Sequence, residues 1–259
     1  MSDDTNDDLV TYAVDRGAAT LCLNSDANRN ALSTPLMRQL LAHLETAAKD
    51  DAVRVVVLGH NGRVFCSGAD LKETAAAREA GEIPASLLTE VLARLWEFEK
   101  PVIARVGGPA RAGGLGLVAA ADIAVCAAEA TFAFTEVRIG VIPAVISATV
   151  LPRLRPRDAA ELYLTGTVFD GRRAEAIGLV TRAVPAVDVN IAVAGYAEDL
   201  LKAAPGALAG AKRLLRRGGG DIGAELDELS ALSAEHFLSE EGREGVAAFT
   251  EKRDPKWML

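Results

Sequence analysis

An α/β core followed by a helical C-terminal part is the fold class this sequence predicts, and three observations predict it. Short β-branched runs alternate with helical patterns as far as about residue 156. Beyond that point almost every segment reads as helix. Twice in the first half, moreover, a strand-like run breaks at glycines and enters a helix directly.

The elements follow in order. Residues 1–8 read as a disordered acidic tail, residues 9–195 as the core and residues 196–259 as the helical part. Val10 to Val14 and Ala19 to Leu23 form a hairpin around Asp15-Arg16-Gly17. Ser33 or Thr34 caps a helix from Pro35 to about Lys49, with Leu36, Leu40, Leu41 and Leu44 on one face. Strands are expected near 53–58, 102–106, 122–127 and 131–134, alternating with helices near 69–80, 85–99 and 114–121. Helices then cover 158–164, 172–177, 189–203, 205–217 and 225–237, with a strand signal at Leu179 to Val184.

Composition bounds the function. The 259 residues are enough for a large core, and a hydrophobic content of 50% with 25% charged residues reads as a soluble enzyme. A net charge of −8 argues against a nucleic-acid partner. The basic runs Arg153 to Arg157 and Lys212 to Arg217 read as solvated surface charge, with a phosphorylated ligand as the alternative. Cys22, Cys66 and Cys126 show no metal or disulfide spacing, so neither is expected. The N-terminus lacks an apolar signal core and no apolar run reaches membrane-span length, so a cytoplasmic protein without membrane contact is expected.

The two strand–glycine–helix junctions carry the chemistry. Val53 to Leu58 leads through His60-Asn61-Gly62 into Phe65-Cys66-Ser67-Gly68-Ala69-Asp70. Val102 to Val106 leads through a glycine-rich turn into Gly113-Gly114 and an apolar helix. The first amides of a helix have no intrahelical acceptor and point outward as donors, which suits a developing oxyanion. One amide from near Ala69 and one from Gly113 can converge on a single oxygen. Tight packing is the competing explanation for either junction alone.

Other chemistries lack their patterns. There is no GxSxG elbow, and the three histidines fall in unrelated segments. Neither GxGxxG nor a P-loop occurs, so no nucleotide cofactor is expected. Carboxylate chemistry remains. Glu136 follows the strand-like Thr131 to Phe134 inside an apolar stretch, where desolvation raises a carboxyl pKa toward a proton-transferring range. A surface glutamate at a strand end is the alternative. Asp122 reads as a structural acceptor at a helix-to-strand turn, and Asp70 as the start of its helix.

With both junctions and Glu136 in view, the chain resembles the enoyl-CoA hydratase/isomerase (crotonase) family. The match runs from Asn28-Arg29-Asn30-Ala31-Leu32 through FCSGADLKE and PVIARVGGPARAGGLGL to Phe169-Asp170-Gly171-Arg172. It ends in Gly242-Arg243-Glu244-Gly245 with Phe249 and Glu251-Lys252-Arg253. The resemblance implies a crotonase-like spiral of ββα units, and a helical C-terminal part driving a trimer or a dimer of trimers. It implies an acyl-CoA thioester whose carbonyl oxygen is held by the amides of Ala69 and Gly113. It also implies a CoA site at Ala27, Arg29, Ala31, Ala69, Asp70 and Leu71, approached by Phe249 and Lys252, across a subunit boundary in one arrangement.

Two departures matter. Two-glutamate hydratases carry a glutamate where this chain has Gly116, while their second glutamate matches Glu136. The stretch Pro143-Ala144-Val145-Ile146-Ser147 replaces a glycine-rich run and is more like members acting on branched or unusual acyl groups. The resemblance implies a hydro-lyase adding water to a 2-enoyl-CoA in fatty-acid or branched acyl-CoA metabolism, with CoA entering only as part of the substrate. Δ3,Δ2-enoyl-CoA isomerisation and non-catalytic acyl-CoA binding are the alternatives.

Overall fold

Alternation along Val10 to Leu23 suits a hairpin with one face buried, and β1 (Val10–Asp15) pairs antiparallel with β2 (Ala18–Leu23). The computed structural model describes residues 8–70, 73, 85–216 and 220–258. The expected tail therefore lies outside the described residues apart from Asp8, and so does nearly all of the helix expected at 69–80. Ser33 caps α1 (Thr34–Lys49), its Oγ accepting from the Leu36 amide at 3.4 Å, and the helix buries Leu36, Met37, Leu40, Leu44 and Ala47.

β3 (Val55–His60) is buried along its whole length but starts two residues later than expected. The amides of Val53 and Arg54 are taken instead by the carbonyls of Asp50 and Gly17. His60 is accordingly the last strand residue rather than part of the turn, and its Nε2 accepts from the Gly107 amide at 3.0 Å.

The chain then forms α2 (Ala85–Glu97), β4 (Val102–Val106), β5 (Ala110–Arg111), α3 (Gly113–Ala120), β6 (Ile123–Ala127) and β7 (Thr131–Ala133). A 3₁₀ turn at Glu136–Ile139 leads to α4 (Ala144–Val150), a helix the sequence reading did not assign. α5 (Pro156–Thr165), β8 (Phe169–Asp170), α6 (Gly171–Ile177) and β9 (Arg182–Val184) follow. The main sheet runs β1-β2-β3-β4-β6-β9 and is parallel from β2 onward. β5, β7 and β8 form a small second sheet.

α7 (Val189–Leu201) packs on β3, β4 and β6, so residue 195 falls inside a helix of the core. α8 (Pro205–Leu215), α9 (Ile222–Leu238) and α10 (Glu240–Glu251) complete the chain. α9 packs against α2 and α4, and α10 against the 3₁₀ turn that begins with Glu136. Along α9 and α10, Leu226 and Val246 are buried within the chain and Leu229 is packed against the core, while Leu232 and Phe249 are exposed. The buried ones are absorbed because α9 and α10 fold back onto the core instead of projecting from it.

The basic runs also differ from their surface reading. Lys212 and Arg216 each lie 2.6 Å from Asp122, whose carboxylate also accepts from the Val102 amide at 2.8 Å. Arg153 bonds the carbonyls of Ala119 and Ala121, and Arg216 bonds that of Ala120, so two guanidiniums cap the C-terminus of α3. Both also lie over the Trp96 ring, at 5.1 and 4.0 Å. The cations are inside because unpaired carbonyls at a buried helix end need donors. Burial lowers the Lys212 pKa to about 8 despite its pairing with Asp122.

Asp122→Ala is expected to cost about 3 kcal/mol in urea denaturation, because it strands buried cations. Glu99→Ala, which removes the partner of the exposed Arg213, is expected to leave stability unchanged within error.

Candidate active site

Backbone bridges hold the two glycine junctions side by side. Cys66 pairs with Ala110, the Arg111 amide donating to the Cys66 carbonyl at 2.9 Å. Leu32 pairs with Ala69, its amide donating to the Gly68 carbonyl at 2.8 Å. Gly68 sits at φ +97°, and a Cβ there would lie 3.0 Å from the Cβ of Ala112, so only glycine allows the approach.

Ala112 itself adopts φ 47°, ψ −119°, a strained conformation costing on the order of 1–3 kcal/mol. Its amide donates to the Ala133 carbonyl and its carbonyl accepts from the Leu115 amide. This leaves the Gly113 amide, the first of α3, with no acceptor. No hydrogen bond of the described residues takes the Ala69 amide either. Both residues line one cavity of about 950 Å³, and Glu136 lines it with them.

Glu136 opens the 3₁₀ turn after β7. The residue is 9% exposed and its Oε2 is buried with no hydrogen-bond partner among the described residues. Burial pushes its pKa up to about 7. The turn is clamped from behind by α10, where a Cβ at Gly245 would run into the Ile139 carbonyl. Tyr163 is near enough for the Glu136 charge to add to the burial that raises its own pKa. Its hydroxyl lies 3.4 Å from Ser147 Oγ, and that oxygen bonds the Pro143 carbonyl at 2.7 Å.

The cavity collects most of the residues singled out from sequence. Ala27, Arg29, Ala31, Ala69 and Asp70 line it, and Leu71 lies outside the described residues. The buried Asn30 fixes this rim by donating to the carbonyls of Asn61 and Val64 while accepting from the Ser25 amide. Phe249 lines the cavity of its own chain, so its contribution needs no subunit boundary. Lys252 does not line it. In a left-handed conformation it ends α10 by donating its amide to the Ala248 and Phe249 carbonyls, and its neighbour Arg253, held by Glu244 at 2.6 Å, lines the cavity instead.

Gly116 is buried on α3 outside the lining, and the direction of its missing Cβ is filled by Ile146 and Leu92. Sequence reasoning missed Ser233, Ala234, Phe237 and Leu238 of α9 as part of the wall. The signal was Gly242 and Gly245: a Cβ at Gly242 would run into the His236 carbonyl at the end of α9 and one at Gly245 into the Ile139 carbonyl, so the pair marks close docking of α10 on both. Among the described residues no cluster could hold a metal ion, and no helix is long and apolar enough to cross a membrane.

The comparisons with known proteins agree with this geometry. The enoyl-CoA hydratase/isomerase family model matches residues 14–258. A crystal structure of an enoyl-CoA hydratase from Mycobacterium avium is 45% identical, with a TM-score of 0.88 over 97% of this chain and 100% of that one. A Thermus thermophilus protein, whose name places it with the enoyl-CoA hydratases, is 36% identical over 94% of this chain and 99% of its own. The hydroxycinnamoyl-CoA hydratase-lyase of Pseudomonas fluorescens is 33% identical over 80% of this chain and 78% of its own. The chain therefore has the crotonase fold and belongs to the enoyl-CoA hydratase/isomerase family.

Proposed function

We propose that this protein hydrates a 2-enoyl-CoA to a 3-hydroxyacyl-CoA. The observation that carries the reading is Glu136, a buried carboxyl with an unpartnered oxygen and a pKa near 7, in the same cavity as two unused amides. The thioester oxygen accepts from the amides of Ala69 and Gly113, which favours the enolate form. Ionised Glu136 takes one proton from a water. The water oxygen bonds to the β-carbon, the double-bond electrons pass to the thioester oxygen, and the α-carbon recovers a proton from Glu136. The CoA moiety lies along Ala27, Arg29, Ala31 and Asp70, with Phe249 and Arg253 opposite.

One base suffices for moving a double bond between C3 and C2, so the absence of a carboxylate at Gly116 favours isomerisation as the second reading. Incubating the protein with 2-enoyl- and 3-enoyl-CoA thioesters and following products by mass spectrometry separates the two. A gain of one water supports hydration, an isobaric product supports isomerisation, and unchanged substrate with measurable binding removes catalysis. Assembly as a trimer or a dimer of trimers is part of the proposal. It is supported by family membership and by exposed Ile191, Leu214 and Leu215.

The raised pKa sets the pH dependence. In the free enzyme kcat/KM should rise with pH through about 7 as Glu136 ionises, and Glu136→Gln should lose that limb along with about two orders of magnitude in turnover. Stability follows from the same shift. Between its unfolded value of 4.5 and about 7 the folded state holds the extra proton, so stability falls as pH rises across that window. Glu136→Gln should therefore melt above wild type at pH 8 and close to it at pH 4.

Restoring a second carboxylate by Gly116→Glu alone is expected to lower the melting temperature without raising hydration of crotonyl-CoA. The first atom of that side chain would meet Ile146 Cγ2 at 2.7 Å. Thermal denaturation and a steady-state assay check both halves.

A further inference from the structure

Gly113 and Gly116 are one turn apart on the face of α3 that meets α2 and α4. A Cβ at Gly113 would meet Leu32 Cδ1 at 2.7 Å and Leu88 Cδ2 at 3.4 Å. One at Gly116 would meet Ile146 Cγ2 at 2.7 Å and Leu92 Cδ2 at 3.3 Å. Leu32, Leu88 and Ile146 line the cavity, whereas Leu92 and Gly116 stand behind Ile146 and do not. A chain leaving the Gly113 amide along α3 thus passes between Leu32 and Leu88 and meets Ile146 about 4.5 Å deeper, three residues at the helical rise. Ile146 packs directly on Gly116, so that no Cβ fits between them.

We propose that Ile146, seated against Gly116, is the specificity-determining floor of the acyl site and restricts the substrate to short, uncharged acyl groups. The inference rests on the reading of the cavity as an acyl-CoA site. Ile146 is 3% exposed and β-branched, so it has few rotamers with which to yield to a longer chain. The three side chains that bound this path, Leu32, Leu88 and Ile146, are hydrocarbon, and a charged acyl terminus held against them would be desolvated. The missing carboxylate and the floor are one feature, since the space a side chain from position 116 would enter is the space Ile146 occupies.

The two positions predict opposite shifts. Removing Ile146 opens the site back to Gly116, whereas a methyl at position 116 pushes Ile146 into the cavity. The readout is the ratio of octanoyl-CoA to butyryl-CoA affinity, measured by calorimetry on the full chain with these saturated, unreactive thioesters. Ile146→Ala should raise the ratio roughly tenfold or more, the scale of a methylene in an apolar pocket. Ile146→Val, which keeps the fold with least disturbance, should raise it less. Gly116→Ala should lower it, and the double variant should return toward wild type because the new methyl fits the space Ile146 vacated.

A ratio unchanged in both Ile146 variants, or moving the same way in Ile146→Val and Gly116→Ala, overturns the proposal. Because binding is read without turnover, a wild-type protein that binds these thioesters but adds no water to their enoyl forms would sink the hydratase reading and leave this one standing.

Discussion

Everything in the site depends on the burial of α3. The helix has eight residues, all buried and none polar, so it can contribute no side chain to chemistry and must act through its ends. At its N-terminus a strained alanine and two bridged junctions leave the Gly113 amide unused. At its C-terminus the carbonyls of Ala119, Ala120 and Ala121 are satisfied by Arg153 and Arg216. A dry helix with both ends open would be costly. The far end is capped by cations, and in the proposed reaction the near end takes the thioester oxygen. The macrodipole points the same way at both ends, since guanidiniums at the C-terminus and a developing anion at the N-terminus are each favoured by it.

That arrangement accounts for a cluster with no catalytic look. Asp122 neutralises part of the charge that caps α3 while fixing the first amide of β4. Trp96 covers both guanidiniums on the remaining side. The carboxylate, the indole and the three cations come from four separate stretches of chain, and they meet because the parallel sheet brings the starts of β4 and β6 to one edge. Their role is to keep α3 immobile at the end away from the cavity.

The sequence made the two junctions legible because the constraints on them are local. A chain that turns from strand to helix with backbone packed on backbone must use glycine, and the residues flanking it are fixed by that need. Glu136 was legible for a similar reason, as a carboxylate set in an apolar run. What could not be read was anything decided by contacts distant in sequence. Arg153 and Lys212 look like surface charge until their partner is known, and Phe249 looks like interface until α10 is seen to fold over its own cavity. The helix at Ala144–Val150 was missed because Val145, Ile146, Thr149 and Val150 carry a β-branched signal. Packing against α3 and α9 overrides it.

Gly116 and Ile146 show how a pocket closes without a hole where a buried helix carries no side chain. A glutamate on a buried helix needs room at its base and a polar environment at its tip. Once the residue is glycine, neither is needed, and close packing favours a side chain from the facing helix filling the space. An isoleucine there then excludes water from the region a second acid would have served. Asp70 and Glu73 also line the cavity, but Glu136 is the carboxyl that burial holds near neutrality. In the proposed hydration, the proton taken from water and the proton given to carbon pass through the same group. A pKa near 7 is the value at which one carboxyl serves both steps with the least penalty on either.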